Sequence, residues 1–195
     1  MVGDWDGNGT TTIGVFRPSN HTFYLNNSNT SGAADITAQY GTTGDLPLAG
    51  HWSSNQGAGI VAHARSQIGI PYCIPGGNQF GPTNVYGQQG CTINAPTFDC
   101  SGLAMFAVYQ AVGVVLPHSS QTQWSSYASY GGVSIPRSNL LPGDVVYFVG
   151  SGGASPDHEG IYIGNNEMID AHDYQTYVAV RQMQDDFVGA VRYWH

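Results

Sequence analysis

The sequence predicts an α+β fold in which N-terminal helices pack on an antiparallel β-sheet, preceded by a short all-β, blade-like segment. Three observations carry this expectation. Residues 1–52 hold β-branched and aromatic runs separated by turn-rich stretches. From residue 60 onward helix-spaced apolar residues come first, and from residue 144 short apolar strands follow one another. Finally, 41% apolar and 12% aromatic content in 195 residues is enough to bury a core, which excludes a disordered chain.

In the first segment, Thr10 to Phe16 (TTTIGVF) reads as a strand, Pro18-Ser19-Asn20 as a turn, and Phe23-Tyr24-Leu25 as the returning strand. Asn26 to Ala34 is a polar connection. Gly3-Asp4-Trp5 returns as Gly50-His51-Trp52 about 47 residues later, within the range of β-propeller blades. One blade cannot bury both its faces, so the segment reads as the last blade of a truncated array. Gly3-Asp4-Trp5-Asp6-Gly7-Asn8-Gly9 with the following TTTIGVFRP resembles the FG-GAP/VCBS-type repeats of secreted bacterial proteins. Asp4, Asp6 and Asn8 have the alternating oxygens that open a calcium loop. Thr12 and Val15 stand where later ligands would fall, so the candidate is weak and a turn with solvated Asp is the alternative. Asn8, Asn20, Asn26 and Asn29 lie in N-x-S/T sequons, which matter only in a host that glycosylates them.

Ser53 to Gly59 (SSNQGAG) reads as a polar linker. Residues 60–195 form the second expected domain. Ile60, Val61, Ala64 and Ile68 lie at helical spacing, ending at Gly69 and Pro71. A long Gly/Pro/Asn-rich loop covers 74–97, a second helix Cys100 to Val112, and a third Ser120 to Tyr130. Strands are expected at Asp144–Val149, Gly160–Ile163, Met168–Ala171, Val178–Arg181 and Ala190–Trp194.

Charge narrows the function classes. Lys is absent, and five scattered Arg face thirteen acids, for a net charge of −8. A nucleic-acid surface needs a basic patch that such a chain does not build. No apolar run approaches the ~18 residues of a membrane span. Met1-Val2-Gly3-Asp4 lacks the basic and apolar stretches of a signal peptide, which leaves a cytosolic protein or a piece of a longer secreted chain.

Cys100 opens an apolar helix after Phe98-Asp99. A helix N-terminus offers unpaired N–H groups and a positive dipole end, which lower a thiol pKa and favour thiolate; Gly102 then leaves room for substrate. A small buried core residue is the alternative. His158 enters an apolar strand, His-Glu-Gly-Ile-Tyr-Ile-Gly, and a nucleophilic Cys needs such an imidazole with an orienting partner. Asp170 follows after a turn at Gly164-Asn165-Asn166, and the even offsets place His158, Asp170 and His172 on one face of a hairpin. Asp170 is preferred for the third role because the hairpin register pairs it better; His172 competes. Met105, Phe106, Trp124 and Tyr127 read as core, and His118 as a cleft residue or a loop cap.

With these residues in place, 57–195 resembles the NlpC/P60 family of papain-like cysteine peptidases. The motifs are Pro71-Tyr72, Phe98-Asp99-Cys100-Ser101-Gly102-Leu103, Leu116-Pro117-His118-Ser119-Ser120, Leu141-Pro142-Gly143-Asp144-Val145-Val146-Tyr147-Phe148, and His158-Glu159-Gly160-Ile161-Tyr162-Ile163-Gly164, in the family's order. The loop before FDCSG looks closest to the actinobacterial cell-separation endopeptidases. The resemblance implies Cys100 as nucleophile, His158 as general base and Asp170 at the variable third polar position. It places Tyr72 beside the nucleophile, and Asp99 and Ser101 against polar groups of the substrate. It further implies hydrolysis of the bond between D-glutamate and a diamino acid in peptidoglycan stem peptides, by acylation of Cys100. Two positions depart from the pattern. Cys73-Ile74-Pro75 stand where an aromatic residue usually follows the Tyr, and Glu159 stands where a small apolar residue is usual. Glu159 either stabilises an imidazolium or points away on the other strand face.

Cys73 and Cys91 flank the long loop and are the natural disulfide pair, whose closure contributes on the order of 3 kcal/mol by the chain-entropy estimate. Two free thiols, or a zinc site with His158 or His172, are the alternatives. A disulfide implies an oxidising, extracytoplasmic setting, so the chain is expected to be secreted or cell-wall associated, with no cofactor. The competing functions are an amidase or acyl/transpeptidyl transferase using the same Cys–His pair, and an inactive wall-binding module.

Overall fold

A computed structural model describes all residues except 1, 4, 6–9, 46–55, 151, 152, 154, 174, 175 and 195. The calcium candidates Asp4, Asp6 and Asn8, and the echo at Gly50-His51-Trp52, lie outside the described residues. The chain divides into two compact units, Met1–Ser54 and Asn55–His195.

The first unit is an antiparallel meander of β1 (Val2–Gly3), β2 (Thr12–Arg17), β3 (Thr22–Leu25) and β4 (Ile36–Gln39), in that spatial order. Phe16 and Phe23 face each other across β2 and β3, ring centroids 4.7 Å apart. Such cross-strand aromatic pairs are what β-branched and aromatic runs supply to a sheet. Pro18–Asn20 forms a single 3-10 turn that ends on a left-handed His21.

Among the described residues the second unit contains three α-helices, α1 (Gln56–Arg65), α2 (Cys100–Val112) and α3 (Ser120–Ser125). A two-stranded ribbon of β5 (Thr83–Asn84) and β6 (Pro96–Thr97) lies within the long loop. Six strands form the main antiparallel sheet: β7 (Val133–Ile135), β8 (Val145–Phe148), β9 (His158–Gly164), β10 (Glu167–Asp170), β11 (Ala179–Gln182) and β12 (Phe187–Arg192), ordered β11-β10-β9-β8-β12-β7. Among the described residues, no helix is long and apolar enough to cross a membrane.

Both faces of the sheet centre are covered, which explains the unbroken Val145-Val146-Tyr147-Phe148 run. Val145 and Tyr147 join Ile161, Ile169 and Val191 in the core under α1 and α2. Val146 and Phe148 point the other way, packing with Met168, Met183 and Ala190. Helix α2 is correspondingly apolar around most of its circumference, with Leu103 to Val108 all buried.

Several expected boundaries differ. The linker expected at 53–59 is shorter, because Gln56–Gly59 already belong to α1. Its glycines serve contact rather than flexibility: a Cβ on Gly57 would lie 2.4 Å from the Pro142 carbonyl oxygen and 2.9 Å from the Trp194 ring. The helix expected over Ser120–Tyr130 stops at Ser125 and continues as a 3-10 turn, Tyr127–Tyr130. Strand β9 starts two residues before its expected start, at His158, because Phe148 pairs with it. The short strands β5, β6 and β7 carry too few residues to show a period of two.

The disulfide is the expected one, Cys73–Cys91, with Cα atoms 5.7 Å apart. Together with Val85 and Ile93 it forms a small core of its own. The loop it closes is thereby an ordered wall, and Cys100 is the unpaired thiol.

Candidate active site

Cys100 is the first residue of α2, and Asp99 before it is the N-cap. Asp99 Oδ1 accepts from Gly102 N at 2.7 Å and from Ser101 Oγ at 2.8 Å, while His118 Nε2 lies 2.9 Å from Oδ2. An extended Asp whose carboxylate accepts from the first turn is a strong helix start, worth about 1 kcal/mol. The family resemblance implied substrate contact for Asp99 and Ser101; in the fold both are buried and bonded to each other, and Asp99 also holds His118. His118 is in turn raised above its ordinary pKa, chiefly by that bond to Asp99, against the opposing effect of its burial. The bond to the Asp99 cap of α2 is a partner that neither sequence reading of His118 named.

The wall in front of α2 is the loop Tyr72–Gly77. Tyr72 is buried and bridges Phe98 in parallel, and Cys73 N donates to the Phe98 carbonyl at 3.1 Å. Tyr72 is therefore held two residues before the nucleophile position. Gly76 O accepts from Asp99 N at 2.9 Å, and a Cβ on Gly102 would lie 2.0 Å from that oxygen. The absent side chain of Gly102 thus makes room for the Gly76 carbonyl rather than for a substrate.

The imidazole comes from β9. Pairing of Tyr162 with Met168 and of Ile161 with Ile169 fixes the β9–β10 register. Continued, it sets Asp170 opposite Gly160 and His172 opposite His158. Asp170 therefore reaches His158 diagonally, His158 Nε2 to Asp170 Oδ2 at 2.8 Å. Gly160 permits this, since a Cβ there would meet Met168 Sδ at 2.9 Å and Asp170 Cβ at 3.2 Å. His172 Nδ1 is 3.3 Å from the same oxygen and 3.5 Å from His158 Nε2. The even-offset argument placed all three on one face; the direct partner by register is His172, yet Asp170 makes the shorter bond.

Arg181 on β11 completes the cluster and was missed in the sequence. Its guanidinium donates to Asp170 Oδ1 and, at 3.2 Å, to the Asp170 carbonyl. Met168 pairs with Arg181 and Asp170 with Ala179, so Arg181 is again a diagonal neighbour. Fully buried Asp170 is pushed up by burial, but the bonds and charges of His158 and Arg181 outweigh this and hold it below the usual carboxylate range. An ionised Asp170 only accepts, so the His158 proton sits on Nε2 and Nδ1 keeps its lone pair. His158, Asp170 and His172 are also the group of described residues whose donor atoms could hold a metal ion.

Cys100 is partly exposed, and the backbone N–H groups of Glu159 and Ser101 point at its sulfur. The thiol therefore adjoins the peptide that follows His158. Its pKa departs from the sequence expectation: it is raised well above the ordinary value, by burial first, then by the Glu159 and Asp99 carboxyls, with the two N–H bonds opposing. A helix start alone would lower it; burial first, and then two acids within range, reverse the sign. Glu159 pairs with Tyr147, so it points with Tyr147 away from the His158 face. It is fully buried, neither carboxyl oxygen has a hydrogen-bond partner among the described residues, and burial pushes its pKa well above normal. Of the two readings of Glu159, the other strand face is the observed one.

A thiol at a capped helix start laid against an antiparallel sheet, with an imidazole and a carboxylate on a neighbouring hairpin, defines a papain-like domain. The NlpC/P60 family model matches residues 81–193, and the chain belongs to that family. Its relatives include the peptidoglycan endopeptidase RipA of Mycobacterium tuberculosis, 36% identical over 58% of this chain and 22% of that protein. The gamma-DL-glutamyl hydrolase of Bacillus subtilis is 31% identical over 66% of this chain and 26% of its own. The chain thus spans about a quarter of the length of these relatives. A solved structure of RipA, the resuscitation promoting factor interacting protein, covers 71% of this chain and 62% of its own at TM-score 0.59 and 32% identity. RipD of Mycobacterium tuberculosis, described as a non-catalytic NlpC/p60 domain protein adapted to peptidoglycan binding, matches at TM-score 0.57 and 25% identity, over 70% of this chain and 95% of that one. RipA has been solved in variants mutated at one cysteine, one histidine and one glutamate.

Proposed function

We propose that this chain is a secreted or wall-associated peptidoglycan hydrolase, a cysteine endopeptidase that cuts the D-glutamyl–diamino acid bond of stem peptides. The observation that carries the reading is the 2.8 Å bond between His158 and a buried, ionised Asp170, beside the only thiol left unpaired. The names of RipA and of the glutamyl hydrolase support the substrate class. The RipA histidine and glutamate that were mutated are twelve positions apart, as His158 and Asp170 are, which supports Asp170 as the third residue.

The chemistry follows from the protonation states. The thiol is neutral at rest, so attack and proton transfer are coupled: Cys100 Sγ adds to the scissile carbonyl while its proton passes to His158 Nδ1. Asp170 holds the Nε2–H tautomer and stabilises the imidazolium. Gly102 and Leu103 N–H groups are taken by Asp99 and the Ser101 N–H points at the sulfur, so the Cys100 N–H is the group at the helix start that faces the oxyanion, joined by Ser101 N–H once the sulfur has bonded to the carbonyl carbon. The imidazolium protonates the leaving amine, and water then hydrolyses the thioester by the reverse sequence. Glu159, being protonated, does not oppose the developing negative charge.

The test is mass analysis of the products from whole peptidoglycan. The expected result is cleavage between D-glutamate and the diamino acid, reduced to background by Cys100→Ala, a loss of about 10⁴-fold or more, with an unchanged circular dichroism spectrum. Release of intact stem peptides would instead mark an amidase. Binding to peptidoglycan with no product, and no effect of Cys100→Ala, would mark a wall-binding module of the RipD kind.

A further inference from the structure

We infer that His158, Asp170 and His172 form a zinc-binding site, and that its occupancy switches the proposed hydrolase off. The three donor atoms make a triangle: Nε2 of His158 to Oδ2 of Asp170 is 2.8 Å, Oδ2 to Nδ1 of His172 is 3.3 Å, and Nδ1 back to Nε2 is 3.5 Å. Ligands about 2.0–2.1 Å from a tetrahedral zinc ion are spaced ~3.3 Å from each other, so the triangle is close to one face of that tetrahedron. All three donors lie on one face of the β9–β10 hairpin, and a register that sets His172 opposite His158 keeps them there. Two imidazoles and one carboxylate are a zinc donor set, with the fourth position left to water.

The surroundings suit a cation. The second oxygen of Asp170 is held by Arg181, which orients the carboxylate while leaving Oδ2 for the ion. Arg181 is the charge the ion must tolerate, and it sits on the far oxygen. His172 is 40% exposed, which opens the cluster to solvent. The Gln184 amide, 3.3 Å from His172 Nδ1, is the group the ion displaces.

The consequence for the reaction is a tautomer change. Zinc takes the lone pair of His158 Nε2, so the proton now on Nε2 moves to Nδ1. Nδ1 can then no longer accept the Cys100 proton, and the ion itself disfavours an imidazolium. The neutral ring loses no proton overall, and no redox partner is required.

The experiment is a calorimetric titration of the intact chain with zinc chloride, without substrate, on the parent, His172→Ala and Cys100→Ala proteins. One zinc per chain is expected for the parent and for Cys100→Ala. His172→Ala should bind at least about 30-fold more weakly, because one of three ligands is gone. In a peptidase assay at buffered free zinc, the parent should lose activity and regain it with chelator. His172→Ala should keep its own zinc-free rate. Absence of stoichiometric uptake by the parent, unchanged affinity in His172→Ala, or loss of uptake in Cys100→Ala would each overturn the site; the last would move the ion to the thiol. The inhibition arm rests on the hydrolase reading, whereas the titration does not, so the two can fail separately.

Discussion

Asp170 and Glu159 stand on neighbouring strands, both fully inaccessible to solvent, and their chemistry is opposite. Asp170 meets His158 and Arg181 and is held ionised. Glu159 faces the other side of the sheet, meets no hydrogen-bond partner among the described residues, and is held protonated, with Asp99 adding to the effect of burial. Burial is common to both, so the partners decide the charge. A third buried acid, Asp144, is as well partnered as Asp170: Arg192 grips both of its oxygens at 2.8 and 2.9 Å, and Leu141 N donates to it at 2.9 Å. That grip accounts for the Leu-Pro-Gly-Asp motif without any role in catalysis.

The comparison can be broken at its strongest point first. Asp170→Asn keeps the shape but removes the charge that fixes the His158 tautomer, so kcat should fall by about 10²–10⁴ with little change in KM. A steady-state assay on a purified muropeptide checks it. Asp144→Ala should leave half-buried Arg192 and the Leu141 N–H without their partner and cost about 2–4 kcal/mol, read from urea unfolding, while any folded protein retains its turnover.

The next pair of outcomes concerns pH. The Asp170 pKa is lower in the fold than its ordinary 3.8, so its contribution to stability is complete above that value and is lost as pH falls through the folded value. Asp170→Asn should flatten this acid limb in thermal unfolding scans. Glu159 has the opposite sign. Its folded pKa lies above the ordinary 4.5, so the fold loses stability as pH rises above 4.5 toward that higher value. Glu159→Met fills the same space with no polar group to satisfy, and should raise the unfolding temperature at pH 8 by about 2–4 °C, and less at pH 4. An equal gain at both pH values would show that Glu159 is not titrating between them.

Much of the site was legible along the chain. Phe98-Asp99-Cys100-Ser101-Gly102 spells a capped helix start, and α2 runs over the expected Cys100–Val112. The even spacing of His158, Asp170 and His172 placed them on one face because the strand period is two. The disulfide was legible because Cys73 and Cys91 flank one loop. Arg181 was not: its bond to Asp170 is a diagonal contact across the β10–β11 pair, and the register that sets Met168 opposite Arg181 exists only once the two strands have paired. Nor was the task of Gly102, because the carbonyl it accommodates belongs to Gly76 in another segment.

The residue order by itself determined which groups could react: one thiol at a helix start, one imidazole at a strand start, and a carboxylate a hairpin away. Local hydrogen bonding and side-chain periodicity act over a few residues, and short-range pattern is enough to express them. The tertiary structure decided their charge states. Whether Asp170 is ionised, Glu159 protonated and Cys100 a thiol at rest depends on desolvation and on partners brought from β11, β9 and the Asp99 cap, and those terms exist only once the elements have packed.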